Sequence, residues 1–231
     1  MDLLADGLRQ AFALLTGGDR EVWSILWLSL VVSGTATFVA LLIGIPLGAL
    51  LALARFPGRR LAVSAVNTGM GLPPVVVGLF VSLLLWRSGP FGDLEILYTP
   101  AAIVIAQAVI ATPIVTGITL AAVGSVPAAF RLQLFGLGAS RVQMVWIVLR
   151  EARLPMLAAI MAGFGGVISE IGASMMVGGN IKGHTRTLTT AMVLETGKGN
   201  FDVAIALALL LLVLIFAVNW ALTSIQQRRA G

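Results

Sequence analysis

Five long apolar stretches, separated by short polar segments, dominate the chain. They cover residues 22–54, 61–86, 100–123, 154–177 and 201–225. A helix crossing the roughly 30 Å hydrocarbon layer needs about 20 apolar residues. Each stretch meets that requirement, so the pattern predicts an all-α integral membrane fold with five transmembrane helices. The first stretch is longer than one crossing needs and must tilt, bend or protrude, with Gly44, Pro46 and Gly48 as bend points. The second is interrupted by Gly69-Met70-Gly71-Leu72-Pro73-Pro74, and the third contains Pro113. The fourth is rich in glycine (Gly163, Gly165, Gly166, Gly172), and the fifth is a nearly unbroken Leu/Ala/Val run. Small faces on the fourth span would allow close helix contact, including contact at a dimer interface.

Residues 1–18 carry Asp2, Asp6 and Arg9, without a basic region followed by an apolar run, so they do not read as a signal peptide. An amphipathic helix at the membrane surface and a loosely ordered tail are both compatible with them. Residues 1–20 are taken as an N-terminal segment outside the cell, and 21–226 as the membrane domain.

Composition agrees with the pattern. Hydrophobic residues make up 58% of the 231 and charged residues 11%, with a mean hydropathy of +1.01. A soluble domain carries about a quarter charged residues, so the bilayer is the solvent for most of this chain. There is no cysteine and one histidine, His184. Thiolate chemistry and a multi-histidine metal site are excluded, and neither a metal nor a cofactor is expected.

The net charge of +5 is unevenly placed. Arg55, Arg59, Arg60, Arg131, Arg141, Arg150, Arg153, Arg228 and Arg229 fall in segments that alternate onto one side, with Glu151 the acid among them. The other side mixes Arg9, Arg20, Arg87, Lys182, Arg186 and Lys198 with eight acids. Arginine-rich loops stay in the cytoplasm. The N-terminus is therefore expected outside and the C-terminus inside. A basic balance spread between spans speaks for orientation in a lipid membrane and against nucleic-acid binding.

Chemistry inside the spans is sparse. Pro73 and Pro74 remove two backbone donors and free carbonyls that lipid cannot satisfy, which points to a polar path beside them. Thr112, Thr116 and Ser174 are neutral hydroxyl donors suited to transient contact with a polar solute; most such hydroxyls bond back to their own helix. Glu170 is the one clear acid within a span; Asp202 stands at the very start of the fifth and is counted with the outer side. Glu170 is either a functional group or a structural hydrogen-bonding group at a helix contact. A proton-coupled carrier would need more such groups and an internal repeat, and no repeat is present.

Residues 124–155 are too long for a turn. Within them 127–135 read as a short helix with Phe130, Leu134 and Leu137 on one face, followed by the small residues Gly138, Ala139 and Ser140. Such a helix suits a groove on a soluble partner or a lipid surface.

Gly138-Ala139-Ser140-Arg141 resembles the core of the coupling motif in permease subunits of type I ABC importers. Leu132-Gln133-Leu134 stands where that family has Glu-Ala-Ala, and Leu154-Pro155 comes late. The run from Ser169 through Ile181 and on through Gly183-His184-Thr185-Arg186 to Ala191 is similar to molybdate and tungstate permeases. Leu188-Thr189-Thr190-Ala191, with Leu194-Glu195-Thr196 and Lys198-Gly199, looks closest to the tungstate-specific branch. The similarity covers residues 27–222. It implies a permease homodimer, two cytoplasmic ABC ATPase subunits and an extracytoplasmic oxyanion-binding protein. It also implies ATPase contact through the segment containing Phe130, Arg131, Leu134, Gly138, Ala139, Ser140 and Arg141.

The chain has no GxxxxGK[ST] phosphate loop, so nucleotide hydrolysis must come from a partner. Bringing a dianion into a negative-inside cell costs about 4–5 kcal/mol per 100 mV, so uptake from trace levels needs coupling to ATP. The spans lack lysine and arginine, which would trap such an ion. Residues 178–200 would face outside, with Lys182, His184 and Arg186 contacting the binding protein or forming an ordinary solvated loop. A membrane enzyme would need clustered His, Asp or Lys. A stand-alone channel or carrier, and the same architecture with molybdate, sulfate or another small solute, are the remaining alternatives.

Overall fold

The computed structural model describes residues 5, 7–10, 12–13, 17 and 20–228. Most of the expected N-terminal segment, 1–20, therefore lies outside the described residues. The chain forms α1 (Arg20–Leu53), α2 (Arg59–Met70), α3 (Pro74–Leu85), a 3-10 turn (Gly92–Leu94), α4 (Pro100–Gly124) and α5 (Ala128–Gly136). It continues through α6 (Arg141–Glu151), α7 (Arg153–Ile168), α8 (Gly172–Gly178), α9 (Leu188–Gly197) and α10 (Phe201–Arg228). No strand occurs among the described residues. In lipid, a helix satisfies every backbone group within itself, which is why apolar runs of this length take that form.

The central pair is α1 and α4, which pack along each other more extensively than any other two elements. On α1, Ser29, Ser33, Ala36, Ala40, Gly44 and Gly48 recur every three or four residues and are buried. This stripe of small residues lets the backbones approach closely. An added Cβ at Gly48 would lie 2.6 Å from the Thr116 carbonyl oxygen and 2.7 Å from Thr119 Cβ. The glycine is required by this contact, and α1 continues through Pro46 as one 34-residue helix. At 1.5 Å per residue it is about 51 Å long, more than one perpendicular crossing. Its opposite face exposes Trp27, Phe38 and Leu42, as a lipid-facing surface does.

Among the described residues, α1, α4 and α10 are each long and apolar enough to cross a membrane. The other two apolar stretches are bent pairs. α2 and α3 meet at 101°, and α7 and α8 meet at 58°. The first break falls where Gly71-Leu72-Pro73-Pro74 anticipates it. Pro74 occupies the first helical position of α3, where a missing N–H costs nothing. The second break, inside 154–177, is not announced by proline; Glu170 stands in it and caps the helix that follows.

Between α4 and α7 the chain forms two short helices. Phe130 and Leu134 pack against Val123, Val126, Val148 and Ala152. Leu137 does not share that face: it caps α5, where the chain turns through Gly138 at φ +86°, and is 85% exposed. The helix ends at Gly136, one residue before Leu137, so the spacing rule no longer brings that side chain inward. Ser140 then opens α6 through a reciprocal capping box with Gln143.

Candidate functional site

The polar centre of the molecule lies at the break between α7 and α8. Glu170 is 5% exposed. Its Oε1 accepts the Ala173 N–H at 2.6 Å, and its Oε2 accepts both the N–H and the hydroxyl of Ser174 at 3.0 Å. The carboxylate thus caps α8, opposing the positive end of the helix and satisfying donors left without intrahelical partners. The Glu170 carbonyl accepts the Thr189 hydroxyl of α9 at 3.0 Å. From α4, the Gln107 side-chain amide donates to the Val167 carbonyl at 3.0 Å and to Ser174 Oγ at 3.3 Å. One residue cluster therefore ties α4, α7, α8 and α9 together. The Gln107 Oε1 atom is buried without a hydrogen-bond partner among the described residues.

The two breaks adjoin. A Cβ on Gly172 would lie 2.5 Å from Val75 Cγ2, and one on Gly78 would lie 2.7 Å from the Ala173 Cα. The start of α3, with Pro73 and Pro74, is thereby held against the start of α8. Glu170 and Ser174 are in direct contact, and Pro73 and Pro74 stand beside them through Val75. Thr112 and Thr116 are elsewhere along α4. Their hydroxyls bond back to the carbonyls of Ala108 and Thr112 at 2.6 and 2.7 Å, and the Thr116 carbonyl meets α1 at Gly48.

A second cluster sits at the other end of α1. Lys182 Nζ lies 2.7 Å from Glu21 Oε2 and Arg186 Nη1 lies 3.5 Å from Glu21 Oε1. The loop carrying them is built on Thr185, which is fully buried. Its hydroxyl donates to the Gly178 carbonyl and accepts the Ile181 N–H. The Leu188 N–H donates to Ser29 Oγ of α1 at 2.9 Å. His184 and Arg186 border a cavity of about 270 Å³ with Ser24, Trp27 and Val31. Further on, Glu195 accepts from Asn200 Nδ2 and Lys198 Nζ, both at 2.7 Å. The Asn200 hydrogen bond and then Lys198 hold its carboxyl below the usual glutamate range.

The third cluster is the α5–α6 segment. Phe130 and Leu134 are turned inward, Arg131 and Ala139 are half-buried, and Gly138, Ser140 and Arg141 are exposed. Among the described residues, no group of three or more His, Asp or Glu side chains could hold a metal ion. Sequence reasoning missed Gln107, Glu21, Thr185 and Thr189 as site residues. Gln107 had a legible signal, as the lone amide in the third span, because an amide in hydrocarbon is costly unless partnered. Glu21 had none, because its partners lie more than 160 residues away.

Solved structures place this architecture. The chain superimposes on the inward-facing MetNI methionine ABC transporter with a TM-score of 0.72 at 21% identity, covering 90% of this chain and 94% of that one. A bacterial ABC transporter involved in import of the acidic polysaccharide alginate matches with a TM-score of 0.78 at 16% identity, covering 95% and 83%. The fold is that of an ABC importer permease, a multi-pass protein of the inner membrane. Residues 44–231 match the family described as binding-protein-dependent transport system inner membrane component, and the chain belongs to that family. Among its relatives is the tungstate uptake system permease protein TupB of Peptoclostridium acidaminophilum, 39% identical over 229 residues, which cover 98% of this chain and 100% of that protein. TupB of Campylobacter jejuni is 35% identical, covering 95% and 92%. The molybdenum transport system permease protein ModB of Escherichia coli K12 is 29% identical, covering 90% and 96%.

Proposed function

We propose that this chain is the permease subunit of an ATP-driven oxyanion importer and forms the translocation pathway for tungstate. The observation that carries the reading is the end-to-end match at 39% identity to a tungstate permease, against 29% to a molybdenum permease. The absence of basic residues from the spans supports an oxyanion that must be released rather than held.

In this reading the two bent pairs each count as one crossing, giving five spans, with the N-terminus outside and the C-terminus in the cytoplasm. The arginine asymmetry supports that orientation. Residues 21–226 act as the permease domain. Two copies of the chain form the pathway, two cytoplasmic ATPase subunits drive it, and an extracytoplasmic oxyanion-binding protein delivers the ion. Pro73, Pro74, Thr112, Thr116, Glu170 and Ser174 shape the pathway or its gate. Glu170 and Ser174 act there by holding two broken spans in register, because both Glu170 oxygens are occupied by the α8 terminus. Phe130 and Leu134 anchor the coupling segment, while Arg131, Gly138, Ala139, Ser140 and Arg141 present its contact surface to the ATPase. Lys182, His184 and Arg186 belong to the outer mouth that meets the binding protein.

The test is metal accumulation in cells with and without the gene, supplied with trace tungstate and molybdate and excess sulfate. A selective fall in tungsten is expected on deletion. An equal fall in molybdenum assigns the broader cargo, and no change in either overturns the cargo assignment.

A further inference from the structure

A groove of about 860 Å³ lies between the last turns of α1 and one face of α5 and α6. Its lining includes Leu50, Phe135 and Leu149 and three arginines, Arg55, Arg131 and Arg141. No aspartate or glutamate lines it. Among the described residues none of the three arginines has an ion-pair partner. Unpaired cations beside an apolar groove select an occupant that is anionic at one end and greasy at the other.

The position of the groove adds to this. Leu47 and Leu50 are exposed on α1, 44% and 54%, as part of the helix surface that faces lipid. Arg55 follows two residues after α1 ends at Leu53, and a guanidinium next to a membrane helix end stays at headgroup level. Along α1 the groove therefore passes from apolar wall at Leu50 to a cation at Arg55, the order of acyl chain and headgroup in a bilayer leaflet. The volume far exceeds that of an inorganic oxyanion, and such a hydrated ion gains nothing from leucine and phenylalanine walls. Guanidinium groups bind phosphate oxygens in bidentate fashion.

We infer that this groove binds an anionic phospholipid, with Arg55, Arg131 and Arg141 around its phosphate and an acyl chain along Leu50, Phe135 and Leu149. The site does not depend on the cargo. It shares Arg131 and Arg141 with the proposed ATPase contact, but Arg55 lies outside the coupling segment and separates the two roles.

The experiment equilibrates the full chain, alone and assembled with its ATPase, with equal amounts of phosphatidylglycerol and phosphatidylcholine in detergent micelles. Retained lipid is counted by native mass spectrometry. Phosphatidylglycerol should be retained several-fold over phosphatidylcholine in both states. Arg55→Gln should reduce that retention several-fold without altering ATPase assembly, and Arg131→Gln/Arg141→Gln should reduce it further. The corresponding lysine variants should keep most of the retention, and Arg60→Gln should match wild type. Equal retention of the two lipids, unchanged retention in Arg55→Gln, or loss of phosphatidylglycerol on ATPase assembly would each overturn the inference. The last outcome assigns the groove to the protein partner.

Discussion

Ser174 donates both its backbone N–H and its hydroxyl to Oε2 of Glu170, each at 3.0 Å. The pair lies at the break where α7 and α8 meet at 58°. A carboxylate in an apolar span is thereby committed to a helix terminus, and its neighbours in α4 and α9 are held through Gln107 and Thr189.

Glu170→Ala should destabilise the assembly more than Glu170→Gln, and Ser174→Ala should be mildest. Hydrogen bonds to a charged group contribute about 1.5–3 kcal/mol each, and loss of a cap costs about 1 kcal/mol. The check is thermal unfolding in detergent followed by tryptophan fluorescence. Unchanged stability in Glu170→Ala with transport abolished would show that the carboxylate meets the solute instead.

Close packing of α1 on α4 makes Gly48 intolerant of a side chain. Gly48→Ala should cost about 1–3 kcal/mol by overpacking, since the Thr116 carbonyl oxygen stands 2.6 Å from the added carbon. Gly165→Ala, with nothing within 4 Å, should be neutral or slightly stabilising. Yield of monodisperse protein and its melting temperature test the contrast. Equal behaviour of the two variants contradicts the packing described.

Lys182 and Arg186 both reach Glu21. Reversing their charge, as Lys182→Glu with Arg186→Glu, should weaken transport without lowering expression. The single reversal Lys182→Glu should be partly rescued by Glu21→Lys, because the pair is then re-formed with opposite sense. Exposed pairs contribute about 0–1 kcal/mol, so the readout is uptake rate and not melting temperature. Unchanged transport in the double reversal removes the loop from the outer mouth.

The lowered carboxyl of Glu195 makes a local contribution to stability that depends on pH. Its folded value lies below the ordinary value of 4.5, chiefly through Asn200 and then Lys198. The contribution is fully present above that ordinary value and is lost as pH falls below it, through the lowered folded value. Hydrogen exchange of residues 195–200 should rise over that acid range relative to the exchange expected for an unprotected chain. Glu195→Gln should abolish this pH dependence; a variant that retains it assigns the effect to another group.

Much of the fold was legible because hydrophobicity is local and additive along the chain. The lengths of the apolar runs alone require a bilayer, and the short helix 127–135 follows from Pro127 and the spacing of Phe130 and Leu134. Most serine and threonine hydroxyls do bond back to their own helix, as seen at Ser29, Thr37, Thr112, Thr116 and Ser169. The site was less legible. Gly44 and Gly48 read as bend points and serve as contact surface, because what a glycine meets depends on which helix lies opposite. Leu137 satisfied a spacing rule but sits beyond the point where α5 stops.

By itself the sequence determined the class of solvent, the number and extent of apolar runs, the segments in which arginine accumulates, and the break at Pro73 and Pro74 in the second run. Those properties are carried by single residues and their near neighbours. Only the tertiary structure decided that Glu170 caps α8, that the two breaks meet at Gly172 and Val75, and that Glu21 holds Lys182 and Arg186. Each of these joins groups whose partners are chosen by the packing of α1, α4, α7 and α9. A carboxylate or a glycine carries no sign of its partner until those helices are in place.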